Sequence, residues 1–370
     1  MNFTKILVVV LLFVSCKSQE KTDETNLEEG PKTFLQYEGK KNMPNIVLVS
    51  GDEEYRSEEA LPQLAKILTN QHGFNTTVLF AQDTAQLGKV DPNFGRNIPG
   101  LEHLDDADLM IIFTRFRALP DSQMKHIDNF LLAGKPVIGL RTSTHAFNFK
   151  KEDESNYKRY GNYHGEDDQW KNGFGKFILG ENWVSHHGSH GNQSTRGIFA
   201  EGAEENPILN GIASGEIWGP TDVYEVRLPM SGDSKPLILG QVTNREGEKD
   251  EADVLLGMRS TDKTLPDDIE KKGKKMNQNN PMMPVAWTKT YQLEGGQKGK
   301  VFTTTMGAAT DLLNEQMRRI IVNAVFWGVG ETVPAKASVN LEGDYKPSRF
   351  AFHKDEHWDT LNLIIGENVK

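Results

Sequence analysis

Cysteine is nearly absent from the chain: one stands in 370 residues, at position 16. A single thiol has no intramolecular disulfide partner, and beyond it no thiolate is available for nucleophilic chemistry. Long apolar stretches are missing too. The run Ile6 to Val14 holds nine residues, too few to span a bilayer. Positive charge is in deficit, with 42 Lys and Arg against 52 Asp and Glu and a net charge of −10. No basic face offsets that balance, so nucleic acid is not expected as a partner. Lys271, Lys272, Lys274 and Lys275 sit beside Asp267, Asp268 and Glu270, which reads as a solvated loop. The turn SGDEEYRS lacks both GxGxxG and GxxxxGK[ST], so no nucleotide cofactor is expected. No internal repeat and no coiled-coil heptad appear.

What remains is ordinary for a soluble globular protein, 37% hydrophobic and 25% charged. The length suits two domains or one large α/β domain. Lys5, the apolar run and Ser15-Cys16 suit a signal peptide. The segment resembles the lipobox of bacterial lipoproteins, with Phe13 where that pattern usually has Leu. The resemblance implies lipidation at Cys16 and a place in the bacterial cell envelope, on the periplasmic side or the outer membrane. The membrane would then be touched through the lipid alone. The plain alternative is a signal peptide with an incidental cysteine. Residues 17–43 are polar and mostly acidic at their start and read as a disordered linker.

From Asn45 a strand–helix alternation begins. Ile46 to Val49 is a β-branched run, and Leu61, Leu64, Ala65 and Leu68 then recur at helical spacing. Pro62 belongs in a first turn, which puts the helix start near Glu59. Phe74 to Phe80 and Ala107 to Phe113 read as strands, Asp121 to Leu132 as a helix closed by Gly134, and Val137 to Leu140 as a fourth strand. Later strands are expected at Arg196 to Ala200, Leu237 to Val242, Val254 to Met258, Val285 to Thr288 and Val301 to Thr305. Thr261 to Pro284 reads as an exposed insertion, and Thr310 to Trp327 as a last amphipathic helix. Continuous apolar strands alternating with helices mean a parallel sheet with helices on both faces. Ligands in such sheets bind beyond the carboxyl ends of the strands. The loops Ser50 to Ser57, Thr114 to Ala118 and Arg141 to Phe147 leave those ends, dense in Arg, Glu, Thr and His.

The blocks IVLVSGDEEYRSEEALPQLAKIL, ADLMIIFTRFRALP, AGKPVIGLRTSTHAF, PVAWTKTYQ and GKVFTTTMGAATDLLNEQMRRIIVNAVFW together resemble the ThuA-like, or trehalose-utilization, domain. The resemblance covers residues 44–333, leaving 334–370 as a C-terminal extension. It implies a flavodoxin-like sheet of the class I glutamine amidotransferase-like type. It also implies sugar catabolism, beside oxidoreductases acting on disaccharides or their keto forms. Two departures stand out. Where amidotransferase relatives carry a nucleophilic Cys, this chain has Arg141 or Thr142, which removes glutamine hydrolysis by a thiolate. Where many ThuA-like sequences have Gly-His after the late strand, Met306-Gly307-Ala308 puts Ala.

Candidate chemistry gathers in four stretches. The corner RTSTH offers Arg141 and His145 toward a ligand, while Ser143 and Thr144 suit helix capping. In GDEEYRSEE, Glu58 and Glu59 suit a helix N-terminus, leaving Glu54 as proton carrier and Arg56 as a substrate group. Arg115 and Arg117 could hold an anionic or keto group, or pair with the acidic first loop. The run VSHHGSHG places His186, His187 and His190 within five residues, in no standard zinc spacing. These histidines suit a divalent metal or hydrogen bonds to sugar hydroxyls, with Asp222 and His164 as further partners. Trp287 could stack on a sugar, against the common role of Trp in a core.

The expected function is therefore acid–base chemistry on a carbohydrate, a disaccharide or keto-glycoside. Glu54, Arg141, His145 and His187 would be catalytic. Arg56, Arg115, Thr142, His164, Asp222 and Trp287 would bind substrate. A non-catalytic carbohydrate-binding lipoprotein and a metal-dependent hydrolase built on His186, His187 and His190 are the alternatives.

Overall fold

The computed structural model describes residues 30–164, 169–244, 269–271, 274–276 and 278–370. Residues Lys32–Lys370 form a compact unit. The segment carrying Cys16 and the strand expected at Val254 to Met258 lie outside the described residues.

In chain order the strands are β1 (Phe34–Tyr37), β2 (Asn45–Gly51), β3 (Asn75–Phe80), β4 (Leu109–Thr114), β5 (Val137–Leu140), β6 (Gln193–Phe199) and β7 (Ile217–Gly219). They continue with β8 (Lys235–Asn244), β9 (Ile269–Lys271), β10 (Lys274–Met276), β11 (Met283–Gln292) and β12 (Lys298–Thr304). The helices are α1 (Ser57–His72), α2 (Asp121–Leu132), α3 (Glu315–Val329) and α4 (Asp355–Leu361).

Ten strands form one sheet in the order β1-β3-β2-β4-β5-β12-β11-β8-β6-β7. The run β3-β2-β4-β5-β12 is parallel throughout. Read by chain order that is 2-1-3-4-5, the flavodoxin-like arrangement. From β12 onward the pairing turns antiparallel, through β11, β8, β6 and β7. The sheet is thus mixed, a parallel half joined to an antiparallel half, where the strand pattern alone suggested a parallel one.

Both faces of the parallel half are buried. Along β2, Ile46 and Leu48 join the core under α1 and α3, while Val47 and Val49 join the core under α2. In β4 the same split puts Leu109, Ile111 and Phe113 on one side and Met110 and Ile112 on the other. Side chains alternate across a strand, so only a strand apolar at every position can be covered by helices on both faces.

Helix ends follow local chemistry. Gly73, at φ 83°, ends α1, and the Phe74 amide returns to the Leu68 carbonyl, the left-handed C-terminal cap that glycine permits. α1 begins two residues before Glu59, where Ser57 Oγ bonds Ser50 Oγ at 2.8 Å and accepts from the Asp52 amide at 3.0 Å. α3 begins later than Thr310 because Asn314 Oδ1 accepts the Met317 amide at 2.8 Å, a side-chain cap that sets the first turn.

Two boundaries also move. Phe34–Tyr37, inside the stretch read as a linker, pairs with β3. Met283 and Pro284, inside the stretch read as an insertion, belong to β11. The segment 148–180 packs on the second core through Tyr160, Trp170 and Phe174, with Tyr160 and Phe174 edge-on or near-edge to Phe147. Among the described residues no helix is long and apolar enough to cross a membrane.

Candidate functional site

The β2, β4, β5 and β12 strands end along one edge, and the flavodoxin order places the crevice between β2 and β4. The loop after β2 is shaped by Asp52. Its Oδ1 accepts the amides of Glu54, at 2.8 Å, and Tyr55, an Asx turn. Its Oδ2 accepts the Thr142 hydroxyl, which ties this loop to the corner after β5. Glu53 is gripped by Arg115 and Arg117. Of the two readings of that arginine pair, pairing with the acidic loop is what the structure contains. Arg117 is buried and also donates to the carbonyls of Arg115, Pro92 and Phe94.

At the corner, Arg141 sits at φ 41°, a left-handed conformation that is costly for a long side chain and is sustained only by its surroundings. Its guanidinium is fully buried. It donates to Asp222 Oδ1 at 2.9 Å, to the carbonyls of Asp222 and Thr305 at 2.8 and 2.6 Å, and to the Tyr55 hydroxyl at 3.0 Å. The rings of Tyr55 and Tyr224 flank it at 4.5 and 3.8 Å, a desolvated cation between two π faces. Arg141 therefore positions Asp222 and the two tyrosines and does not reach a substrate. Thr142 is equally buried. Ser143 Oγ donates to the carbonyls of Leu140 and Ile112, and Thr144 Oγ1 to that of Arg141, so neither caps a helix. The corner belongs to the core.

Opposite it, the loop after Glu181 lies against the segment that follows β7, with His186 bridged to Tyr224. The His187 and Gly188 amides both donate to the Val223 carbonyl. A Cβ on Gly188 would meet the Val223 amide at 3.2 Å and Asp222 Cβ at 3.3 Å, so a glycine lets this loop approach. The result is a chain of titratable groups. His186 Nδ1 lies 2.8 Å from Asp222 Oδ2 and His190 Nδ1 3.2 Å from Oδ1. His190 Nε2 lies 3.3 Å from Glu54 Oε1, and Arg115 Nε 3.7 Å from Glu54 Oε2.

The buried and open members differ in character. Burial pushes Glu54 up to about 7, reinforced by the charge of Asp52. Burial alone would raise Asp222, yet Arg141 and the two histidines hold its carboxyl well below the usual range. The side chains of His186 and His190 are 38% and 37% exposed, so the chain opens to solvent at its imidazoles. Two neighbouring groups with carboxyl pKa values driven apart are the usual signature of an acid–base assignment.

Aromatic rings frame these groups. Trp183 lies 5.7 Å from His186 and 5.5 Å from His145, and Phe350 5.6 Å from His190. Phe350 belongs to the C-terminal extension, which reaches back so that the Ala351 amide donates to the Glu54 carbonyl at 3.0 Å. The stretch around Phe350 and Ala351 is thus a wall of the site. Further out, exposed Tyr163 stacks on Phe116, and Phe352 covers the Arg115 guanidinium at 4.7 Å.

Several sequence-chosen residues fall elsewhere. His187 is buried, with Nε2 at 2.8 Å from the Gln278 carbonyl, and faces away from the other two histidines' carboxylate. Arg56 pairs with Glu58 and Glu59 beneath Trp358. Its guanidinium serves the start of α1. Trp287 is fully buried and donates to the Leu179 carbonyl at 2.6 Å. Among the described residues no side-chain bond or ring contact joins His164 to the cluster. The Ala308 turn after β12 is closed by Asp311, whose Oδ2 accepts the amides of Gly307 and Ala308 and the Thr221 hydroxyl. Trp183, Tyr224 and Phe350 were not singled out from sequence, and Tyr55 was noted within GDEEYRSEE without a role. Of the first three, only Tyr224, two residues beyond Asp222 in DVYE, carried a local signal.

His145 is buried among Phe116, Trp183 and Tyr224. Burial and the charges of Arg115 and Arg141 press its pKa well below the ordinary 6.5. The imidazole is neutral at neutral pH and is a poor proton acceptor. His145→Ala is expected to cost about 2 kcal/mol or more of stability in denaturant titrations. Because the folded value is the lower one, its contribution is present above pH 6.5 and is lost as pH falls below it. That acid slope should shrink in the variant; an unchanged stability and slope would make the residue peripheral.

No family model matches the sequence, and no curated protein matches it. Among solved structures, the chain is similar to a protein of Parabacteroides merdae described as ThuA-like, at 12% identity and a TM-score of 0.44, over 79% of this chain and 92% of that one. A protein of Bacteroides uniformis with the same description is similar at 12% identity and a TM-score of 0.42, over 78% and 92% of the two chains. Neither likeness assigns a role to a residue of this chain.

Proposed function

We propose that this is a ThuA-like enzyme of carbohydrate catabolism that moves protons with Glu54 and His190. The observation that carries the reading is the contact of a buried carboxyl, held near neutrality at about 7, with a half-open imidazole. A group with a pKa near the working pH is both a competent base and a competent acid. Support for a sugar comes from the exposed rings of Tyr163 and Phe352, since rings beside polar groups accept the C–H faces of a pyranose while the polar groups take its hydroxyls.

On a keto-glycoside the roles are specific. Ionised Glu54 takes the proton from the carbon between the ketone and the glycosidic carbon. The electron pair forms the C=C bond as the glycosidic C–O bond breaks. His190, held beside Asp222 at 3.2 Å, gives a proton to the departing oxygen. Arg141 acts through Asp222, whose charge it fixes. The lipid anchor at Cys16 and the envelope location belong to this proposal as well.

A second reading rests on a separate observation. One ligand atom each from His186, His190 and Asp222 lies within 4.8 Å of the others. Two imidazoles and a carboxylate suit a divalent transition metal with open positions. Arg141 occupies Asp222 Oδ1, so Oδ2 is the oxygen left for an ion.

The test is turnover of matched glycosides and keto-glycosides by the purified chain, with and without chelator. Turnover of the keto form, indifferent to chelator and rising with pH around 7, is the expected result. Loss of turnover on chelation, with stoichiometric metal in the untreated protein, replaces the first reading by the second. Binding with no turnover in either condition makes the chain a sugar-binding protein.

A further inference from the structure

A cavity of about 550 Å³ lies away from the Glu54 edge. It flanks the β11–β12 hairpin, where Lys298 pairs with Gln292 and Val301 lies beside Val137, the first residue of β5. That is the amino end of the parallel strands. Its size falls within the ~300–1,000 Å³ typical of small-molecule sites.

Four lysines line it, Lys171, Lys176, Lys289 and Lys298, with Asp233 as the carboxylate among the lining residues. Against the chain's net charge of −10, the described lining residues carry an excess of positive charge. Asp233 accepts from the Thr290 amide and hydroxyl at 3.1 and 2.6 Å, bonds that outweigh burial and keep its carboxyl ionised, so it offsets one of the four lysine charges. Lys176 pairs with Glu181 at 3.0 Å. Lys289 is half-buried and donates to the carbonyls of Phe177 and Ile178 at 2.8 and 3.4 Å, which fixes an ammonium with no carboxylate bonded to it among the described residues. Burial lowers its pKa to about 8, against the pull of Asp233. A group so placed gains from any anion that enters. Lys171 and Lys298 are exposed and make no ion pair among the described residues. Between the charges, Asn172, Gln292 and Ser231 offer amide and hydroxyl groups, and Phe177 a ring.

We propose that this cleft is a second, non-catalytic binding site for an acidic carbohydrate, a sugar bearing a carboxylate or sulfate. Ammonium groups on several sides would hold the anion, and the amides and the ring would hold the sugar body. It stands apart from Glu54 and survives whatever is found for the chemistry there.

The experiment is calorimetric titration of the full chain with a uronic-acid disaccharide, a sulfated disaccharide, a neutral disaccharide and inorganic phosphate. Wild type is compared with the double variant Lys171→Ala, Lys298→Ala, which touches only exposed side chains. Binding of an acidic disaccharide, weakened at least about tenfold in the variant for loss of charge-assisted bonds, is the expected result. Lys289→Met should weaken it further, with circular dichroism checking the fold. Silence with all four probes overturns the site. Equal binding of the neutral sugar overturns the charge assignment, and phosphate binding as tightly as the disaccharides overturns the sugar assignment. Undiminished binding by the double variant overturns the location.

Discussion

Glu54→Gln is expected to yield a protein that folds, unfolds at higher denaturant than the wild type above pH 7, and turns over substrate about 10²–10⁴ times more slowly, the usual contribution of a positioned proton carrier. Both effects follow from one fact. Burial and the charge of Asp52 raise Glu54 from 4.5 to about 7. A carboxyl whose folded value is the higher one binds its proton more tightly in the folded state. Stability therefore falls as pH rises through 4.5 to 7, by about 1.4 kcal/mol per unit at most. An amide cannot ionise and escapes that loss, less whatever Arg115 and His190 forfeit with their partner. A gain of about 1–3 kcal/mol at pH 8, shrinking toward zero near pH 4.5, is the signature to seek in denaturant titrations at several pH values. Turnover retained in the variant would end the proton-carrier role. Retained turnover with the same pH-dependent gain would show a buried acid with no catalytic part.

Arg141→Met is expected to cost about 3–5 kcal/mol, the effect of removing one partner from a buried pair. Four hydrogen bonds and two ring contacts are lost together, and Asp222 is left buried without its cation. The acid side gives a second readout. Asp222 is held below its ordinary 3.8, so its stabilisation is present above that value and is lost as pH falls through the lower folded one. In the variant, Asp222 protonates at higher pH, and acid unfolding moves up with it. The double variant Arg141→Met, Asp222→Leu should regain part of the stability, since no lone charge remains buried. A single variant within 1 kcal/mol of wild type would mean that the pair contributes little to the fold.

How much of this could be read from residues alone varies by stretch. The strands β2, β4 and β5 and helix α2 were legible because those strands carry continuous apolar runs, Ile46 to Val49, Leu109 to Phe113 and Val137 to Leu140, and α2 has a 3.6-residue apolar stripe. β1 was not, since FLQY is half-polar and gains its place only by pairing with β3. In the antiparallel half, β6, β8 and β11 were legible as strands, the three-residue β7 was not, and the direction of none of them was. Direction depends on connections, and the chain between β8 and β11 gives no pattern for it.

At the site the difference is sharper. His186 and His190 drew notice by density, but so did His187, which the loop turns toward Gln278. Arg141 drew notice because charge at a strand end is awkward to bury unpaired. The partner exists, 81 residues away at Asp222, so a residue taken for a substrate clamp is a buried strut. Thr142, Arg56 and Trp287 follow the same course: each is a polar or aromatic group whose partner lies inside the fold.

By itself, the sequence determined which chemistry is missing and which edge of the sheet is charged. With one cysteine, thiolate catalysis at the corner after β5 was out before any coordinates. Apolar runs ending in Glu, Arg and His loops set the carboxyl edge as the place to look. The tertiary structure decided which of those charges face one another. Pairing with Asp222 removes Arg141 from the groups free to meet a ligand. The same packing holds Asp222 against two imidazoles and brings one of them to Glu54. Proton affinity depends on burial and on charges a few ångströms away, and neither distance along the chain nor residue type specifies those.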